Sequence, residues 1–571
     1  MNLRNVRVFV SLLTVPLWTV LLLSLAGCPA KSNKPSPGET KSKPAASPNA
    51  GDTAKPGDTA TAAPNQDSKT TGETPAVPGT VNPDSLEPAA IAQVSAETPA
   101  TYGEGKRPAV DPIVANGKIF EDWPKPKLAL VITGKQKGYI EPCGCTGREN
   151  QLGGLSRRFS FLKKLAADGW PTVSIDLGGI VDDFGRESEL KYQTTAEALG
   201  KMGYGAIGFG PKDLRLPVEG LVAVTAVEES PFVAANVNLF DQTQPFRVLQ
   251  AGGMKIGVTS ILGDEYQKEI NNSDLKLTPA EAALTAVLPK LKAAGCDKLV
   301  LLLHATQAES EALARKFPEF SVVVTADGAE VPPHLPKKIE GTQTLLIEVG
   351  VKGKYAMVLG FYDDPKTPVR YQRVPLDSRF PDSPEMMQAM VAFQGQLEQL
   401  GLEGLGIRPK IHPRAKAGGD PTGQFVGSAK CGECHKTAYG IWSKSQHAHA
   451  TEALVKATPP RMHDPECLSC HVTGWNPQEY FPYESGFVSL EATPQLAGNG
   501  CENCHGPGGA HVAAEAGRDL TRRDQLRQTL RLTKATVELN VCVKCHDDDN
   551  DPHFNGAFAK YWQKIEHKGM K

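Results

Sequence analysis

The sequence predicts a multidomain protein: a layered α/β domain followed by a mainly α-helical segment whose core is not made of ordinary apolar runs. Three observations predict it. The chain has 571 residues, more than one hydrophobic core accommodates. From about Leu128 apolar strand-like runs alternate with helical segments, as in α/β folds. Eight of the 12 cysteines fall between Cys431 and Cys545, all in pairs with two residues between them. The formal net charge of −2 gives no electrostatic reason for a nucleic-acid partner. The absence of repeated apolar spans excludes a polytopic membrane protein.

Residues 1–27 read as an export signal. Arg4 and Arg7 precede an apolar stretch from Val8 to Leu23 that Pro16 interrupts, ending in Leu25-Ala26-Gly27-Cys28. A positive start, an apolar middle and small residues before a cleavage point are what a secretory signal requires. Leu-Ala-Gly-Cys resembles the bacterial lipobox, which implies lipidation of Cys28 and attachment to a bacterial membrane, facing the periplasm or the cell exterior. Residues 28–108 follow as a tether. Between Pro29 and Pro108 there are 13 prolines among Ala, Thr, Ser, Lys, Gly and Asp, and no period of 2 or 3.6 survives, so this stretch is expected to be disordered.

Within the α/β domain, placed at 126–365 with an extension over 366–400, the predicted strands are Leu128–Thr133, Thr172–Asp176, Phe232–Val237, Lys255–Ile261, Lys298–His304, Ser321–Thr325 and Thr344–Val349. Several are apolar throughout, as strands covered on both faces must be. Helices are expected over 154–167 and 279–294. In the second, Thr278, Pro279 and Glu281 suit an N-cap, an N1 proline and an N3 glutamate.

The short motifs here run Ile140-Glu141-Pro142-Cys143, Gly153-Gly154-Leu155-Ser156-Arg157-Arg158, Ile175-Asp176-Leu177-Gly178-Gly179, Ala206–Asp213, Ala235-Asn236-Val237 and Leu303-His304. Their order resembles the calcineurin-like metallophosphatase domain of bacterial 5′-nucleotidases. In that family a dinuclear metal site is built from Asp-x-His, Gly-Asp, Gly-Asn-His-Glu, a lone His and Gly-His-x-His. Here Lys135 and Lys137 stand at the first pair, Gly179 at the bridging Asp, Pro211 and Lys212 at Asn-His, and Thr325–Glu330 at the last motif. Only His304 remains. Two divalent cations need carboxylates and imidazoles, so a phosphatase-like fold without catalytic residues is expected. Cys143-x-Cys145 stays open between a soft-metal or redox site, with Cys296 as a third thiol, and a structural thiol pair or disulfide.

After a Gly/Pro-rich joint at 401–423, residues 424–571 carry four copies of Cys-x-x-Cys-His. They are Cys431/Cys434/His435, Cys467/Cys470/His471, Cys501/Cys504/His505 and Cys542/Cys545/His546. This spacing reads as c-type haem attachment: two thiols form thioethers and the adjacent imidazole binds iron. Zinc ribbons also use Cys-x-x-Cys, yet a histidine follows every pair. Four haem c groups are therefore expected. Met462 and Met570 are the only methionines in this segment, so bis-His ligation is favoured, with His447, His449, His463, His511, His553 and His567 as the histidines outside the motifs.

The motifs Val426–Cys431, Trp442–Ala448, His471–Trp475, Gly500–Gly508 and Tyr561–His567 resemble the cytochrome c-554 family of tetrahaem cytochromes. That resemblance implies His447, His511 and His567 as distal ligands and leaves His449, His463 and His553 on the surface. The family can leave one haem five-coordinate. The expected function is a membrane-tethered electron carrier with a redox-protein donor and acceptor. The alternatives are a redox enzyme acting on a small nitrogen or oxygen species at a five-coordinate haem, a phosphoesterase, and an α/β module that docks the cytochrome on a partner.

Overall fold

The computed structural model describes residues 109–142, 148–416, 421–547, 549–551 and 554–567. Cys28, Cys143, Cys145, His553 and Met570 lie outside them. In the first part the strands are β1 Leu128–Thr133, β2 Thr172–Asp176, β3 Tyr204–Ile207, β4 Val237–Leu239, β5 Arg247–Ala251, β6 Met254–Leu262 and β7 Leu275–Leu277. There follow β8 Lys298–His304, β9 Val322–Thr325, β10 Lys337–Lys338, β11 Leu345–Glu348, β12 Tyr355–Phe361 and β13 Val369–Pro375. The helices between and after them are α1 Pro112–Asn116, α2 Leu155–Ala167, α3 Arg186–Lys201, α4 Val218–Thr225, α5 Asp264–Gln267, α6 Ala280–Ala293, α7 Gln307–Lys316 and α8 Pro384–Gly404.

Two sheets result. One runs β13-β12-β1-β2-β3, with β1, β2 and β3 parallel and β12 and β13 antiparallel at one edge. The other runs β10-β11-β9-β8-β6-β5, parallel from β11 to β6 and closed by an antiparallel strand at each edge. Strand alternation sets the layers. Leu128, Leu130 and Ile132 of β1 share one core with Val258, Val300 and Val324 of the second sheet. Ala129 and Val131 face the other way, onto Phe161 of α2, Leu199 of α3 and Phe393 of α8. The far side of the second sheet packs Leu301 and Leu303 on Leu284 of α6 and Leu313 of α7. The order is helix, sheet, sheet, helix, which is why β1 and β8 carry almost no polar residue.

Two local expectations are corrected. α6 begins one residue later than expected: Pro279 is extended (ψ 139°) and is itself the N-cap, while Ala280 N–H donates to Asp264 Oδ1 at 2.8 Å. The carboxylate of Asp264, the first residue of α5, does what Thr278 was expected to do. The run 232–237 is not a strand along its length. Phe232 bridges β3 and Ala235 N–H reaches Ser260 of β6, so the chain is passed from one sheet to the other and pairs regularly only from Val237.

The C-terminal part is mainly helical: α9 Ser428–Gly432, α10 Lys436–Trp442, α11 Ala450–Lys456, α12 Pro465–His471, α13 Cys501–His505, α14 Gly509–Ala516, α15 Leu520–Leu530, α16 Lys534–Asn540 and α17 Phe558–Ile565. Its side-chain cores are small, one around Phe425, Leu468, Trp475 and Phe487 and one around Val537, Phe554 and Phe558. Both parts belong to one compact unit, joined by ion pairs. Asp549 meets Lys354 at 2.7 Å and also Lys352, Arg461 meets Glu141, and Lys191 meets Glu466 at 2.5 Å.

Candidate haem site

Each Cys-x-x-Cys-His motif is wound into a turn. In the first, His435 N–H donates to Cys431 O at 2.9 Å, and in the fourth His546 N–H donates to Cys542 O at 2.8 Å. The second and third motifs lie wholly within α12 and α13. Helical winding sets residues three apart on one face, so both thiols of a motif address the same side with the histidine one residue on. Asp464 caps α12, its Oδ1 accepting from Glu466 N and Cys467 N.

One motif thiol differs from the other seven in its setting. Cys434 is exposed, whereas the other seven motif thiols are half-buried. The cause is local. α9 stops at Gly432, whose backbone lies close against the Tyr439 ring of α10, and the turn through Glu433 and Cys434 that joins the two helices is left toward solvent. The first motif therefore has one sheltered thiol, Cys431, and one open one.

Between the two thiols of the third motif, Glu502 is buried (3% exposed) and accepts from the backbone of Val426, Gly427 and Gly508 at 3.0, 2.7 and 2.7 Å. Asn503 donates to Val472 O at 2.9 Å, and Cys501 N–H donates to Ser428 Oγ. The third motif thereby fixes the first and the second around itself. Trp442 donates its indole N–H to Asn499 O, and Asn499 N–H donates to His447 O, which holds His447 in place.

The imidazoles meet in pairs. Ring centroids are 6.2 Å apart for His435 and His511, 6.0 Å for His447 and His546, and 5.9 Å for His505 and His567. A metal taking one nitrogen from each of two facing rings, at about 2 Å per bond, needs centroids about 6 Å apart. Several rings are also oriented at Nδ1: His505 donates to Leu530 O at 2.7 Å, His471 to Ala450 O at 2.7 Å and His567 to Ile565 O at 2.9 Å, while His546 Nδ1 lies 3.0 Å from Asp551 Oδ2. A hydrogen bond at Nδ1 leaves Nε2 as the ligating atom. Burial pushes His447 down to about 4, so its ring is neutral, as a ligand must be. His449 and His463 are exposed and sit beside Glu452 and Glu398. These residues fit haem iron held between two imidazoles. Zinc finds no such fit: among the described residues no cysteine or histidine joins a cluster of three metal-binding side chains.

The motifs also meet each other. Cys431 and Cys501 are within hydrogen-bonding reach, as are Cys470 and Cys545, and each contact pulls one thiol down (Cys501, Cys470) and pushes its partner up. Alongside lies a cavity of about 2010 Å³, about twice the upper end of an ordinary small-ligand pocket. The C-terminal part lines it with Cys467, Cys470, His471, Cys545 and His546, and the α/β part with Lys137, Tyr139, Glu187, Lys191 and Lys352. Sequence reasoning missed this second wall, because nothing in residues 137–191 reports on what packs against them.

The remnant of the phosphatase-like site lies at the C-terminal ends of β1, β2 and β8. His304 is buried against Gly179 and Gly210, and a Cβ at either glycine would come within 3.0 Å of its Cε1. Burial and the neighbouring Lys135 push His304 down to about 3. Lys137 pairs with Asp182 at 3.0 Å. Asp213 accepts from Gly179, Val181 and Gly210, which pins these loops together. A bridging carboxylate at position 179 would have to displace the His304 ring.

Residues 430–506 match the family model for cytochrome c554 and c-prime. Cytochrome c-554 of Nitrosomonas europaea is 30% identical over 162 residues, 24% of this chain and 63% of that protein. An apyrase of Aedes aegypti is 23% identical over 292 residues, 45% of this chain and 52% of that protein. The chain thus spans between about half and just under two thirds of the length of these relatives. Among solved structures, the 5′-nucleotidase precursor of Thermus thermophilus matches at 19% identity, covering 48% of this chain and 59% of that one, with a TM-score of 0.42. The C-terminal part is similar to cytochrome c-554, and the part before it to 5′-nucleotidases and apyrases.

Proposed function

We propose that this protein is a multihaem c-type cytochrome that carries electrons through four haem c groups and is tethered to a membrane by a lipid on Cys28. The observation that carries the reading is the meeting of His435 with His511, His447 with His546 and His505 with His567 at ring separations near 6 Å, each pair including one histidine of a Cys-x-x-Cys-His motif. The eight motif cysteines would hold the groups as thioethers, the one at Cys434 on the solvent side, with His435, His471, His505 and His546 as proximal ligands and His447, His511 and His567 as distal ones. When bound, haem supplies one-electron chemistry between ferric and ferrous iron, and paired imidazoles favour a lower potential than a His/Met pair. The chain's own residues orient the rings, through Leu530 O, Ala450 O and Asp551. Burial also keeps His447 neutral. The similarity to cytochrome c-554 supports redox proteins as donor and acceptor. No helix among the described residues is long and apolar enough to cross a membrane, so attachment would rest on Cys28 and the tether.

Iron and haem counted on the denatured protein test this. Four covalent haems and four irons per chain are expected, and zinc with iron near zero would overturn it.

A further inference from the structure

Lys191, on α3 of the α/β part, is buried (6% exposed). Its ammonium sits 2.8 Å from Glu187, one turn earlier on the same helix, and 2.5 Å from Glu466, the residue preceding Cys467. Oxygens of Glu187, Asp464 and Glu466 all lie within 4.8 Å of one another. Lys191 already stands as the cation of this group, so a metal ion is not what it calls for. Asp464 is committed to three hydrogen bonds, from Glu466 N, Cys467 N and Gln394 Nε2. Gln394, 6% exposed and on the cavity wall, has an Oε1 that no donor reaches. A buried carbonyl oxygen without a donor is costly. These five side chains line the same cavity as Cys467, Cys470 and His471.

We propose that Glu187 is a redox-linked proton site: it takes a proton from solvent as an electron reaches the haem attached at Cys467 and Cys470, and returns it on oxidation. This rests on the haem reading of that motif. The balance is one electron from an external reductant or a neighbouring haem, converting ferric to ferrous iron, and one proton converting the Glu187 carboxylate to the acid. Three carboxylates against one ammonium leave an excess of negative charge. A further electron nearby raises the proton affinity of the carboxylate, and by reciprocity the proton raises the affinity for the electron. Burial and then the neighbouring carboxylates hold Glu187 at about 7, against the pull of Lys191.

The facing charged groups are Lys191 on its own helix, Asp464 and Glu466 from α12 and its cap, and Tyr480, whose phenol burial and Glu466 push upward. α8 presents Met390, Phe393 and Gln394 to the cavity, none of which titrates. α4 carries only the exposed Glu219, and the Tyr204 phenol of β3 is bonded to Thr133. Glu466 is the exposed member and opens the group to water.

The test is a spectroelectrochemical titration of the full haem-loaded protein across pH about 7. One haem potential is expected to fall with rising pH by up to one proton per electron. In Glu187→Gln that dependence disappears while haem content and the low-spin bands stay as in the wild type. A wild-type potential flat in pH, or a slope that persists unchanged in Glu187→Gln, overturns the proposal. Should Glu187→Gln not load haem, Glu187→Asp carries the test: a slope centred at a different pH supports the proposal, and an unmoved slope overturns it. A protein without covalent haem fails the functional reading itself, a result distinct from four haems with flat potentials.

Discussion

His511 stands on α14 with its ring 6.2 Å from that of His435. If the two share one iron, His511→Ala opens that iron on one side. About a third of the low-spin absorption should convert to high-spin, and one additional carbon monoxide should bind per chain, read from ferric and ferrous spectra. An unchanged spectrum would remove His511 from the ligand set. The motif histidines were legible in the sequence because an iron beneath a haem held by two thioethers calls for an imidazole next to the second thiol. The distal ones were not, since His511 meets His435, and His567 meets His505, only through tertiary approach across 76 and 62 positions of chain. Resemblance, not spacing, singled them out. The open setting of Cys434 was equally hidden, because spacing names the thiols of a motif and says nothing of where α9 stops. Glu187 and Lys191 carried no signal at all: on α3 they read as an ordinary helical pair one turn apart.

At the scale of single elements, α12 shows how a seven-residue helix is held in place. It is too short to persist by itself, and Asp464 closes its first turn while Gln394 of α8 holds the carboxylate from the other side at 2.8 Å. Asp464→Ala should cost about 1–2 kcal/mol by loss of the cap, with more from the amide of Gln394 left unpaired. Denaturant unfolding followed through the Soret band would show it as a lower midpoint at unchanged slope. The strands divide by how visible they were. β1, β8 and β9 were evident as unbroken apolar runs because both their faces are covered. β5, with its pattern of half-buried and exposed residues, and β13, with Arg370, Gln372 and Arg373, lie at sheet edges where one face meets water. Their polar content hid them. The cap of α6 was misread for another reason: Asp264, which supplies it, is 16 residues away.

Across the whole molecule, the α/β part contributes one wall of the cavity whose other wall bears two attachment motifs. Asp549, three residues beyond His546, is the pin, paired with Lys352 and Lys354. Asp549→Lys places three like charges together. Calorimetry should then show the two parts melting as separate transitions where the wild type melts in a more coupled one, and a single unaltered transition would show that Asp549 does not couple them. The layered class of the first part and the haem-binding class of the second were legible from periodicity and spacing, but their mutual packing depends on ion pairs such as Arg461–Glu141, which no periodicity records. The close approach of Cys431 to Cys501 and of Cys470 to Cys545 has its own consequence for biosynthesis. Outside a reducing compartment, thiols from different motifs that lie this near each other are substrates for oxidation to a crosslink. If these thiols carry haem, a crosslink would leave none free for thioethers, so attachment would have to come before the chain reaches this compact arrangement, or the thiols would have to be kept reduced until it does.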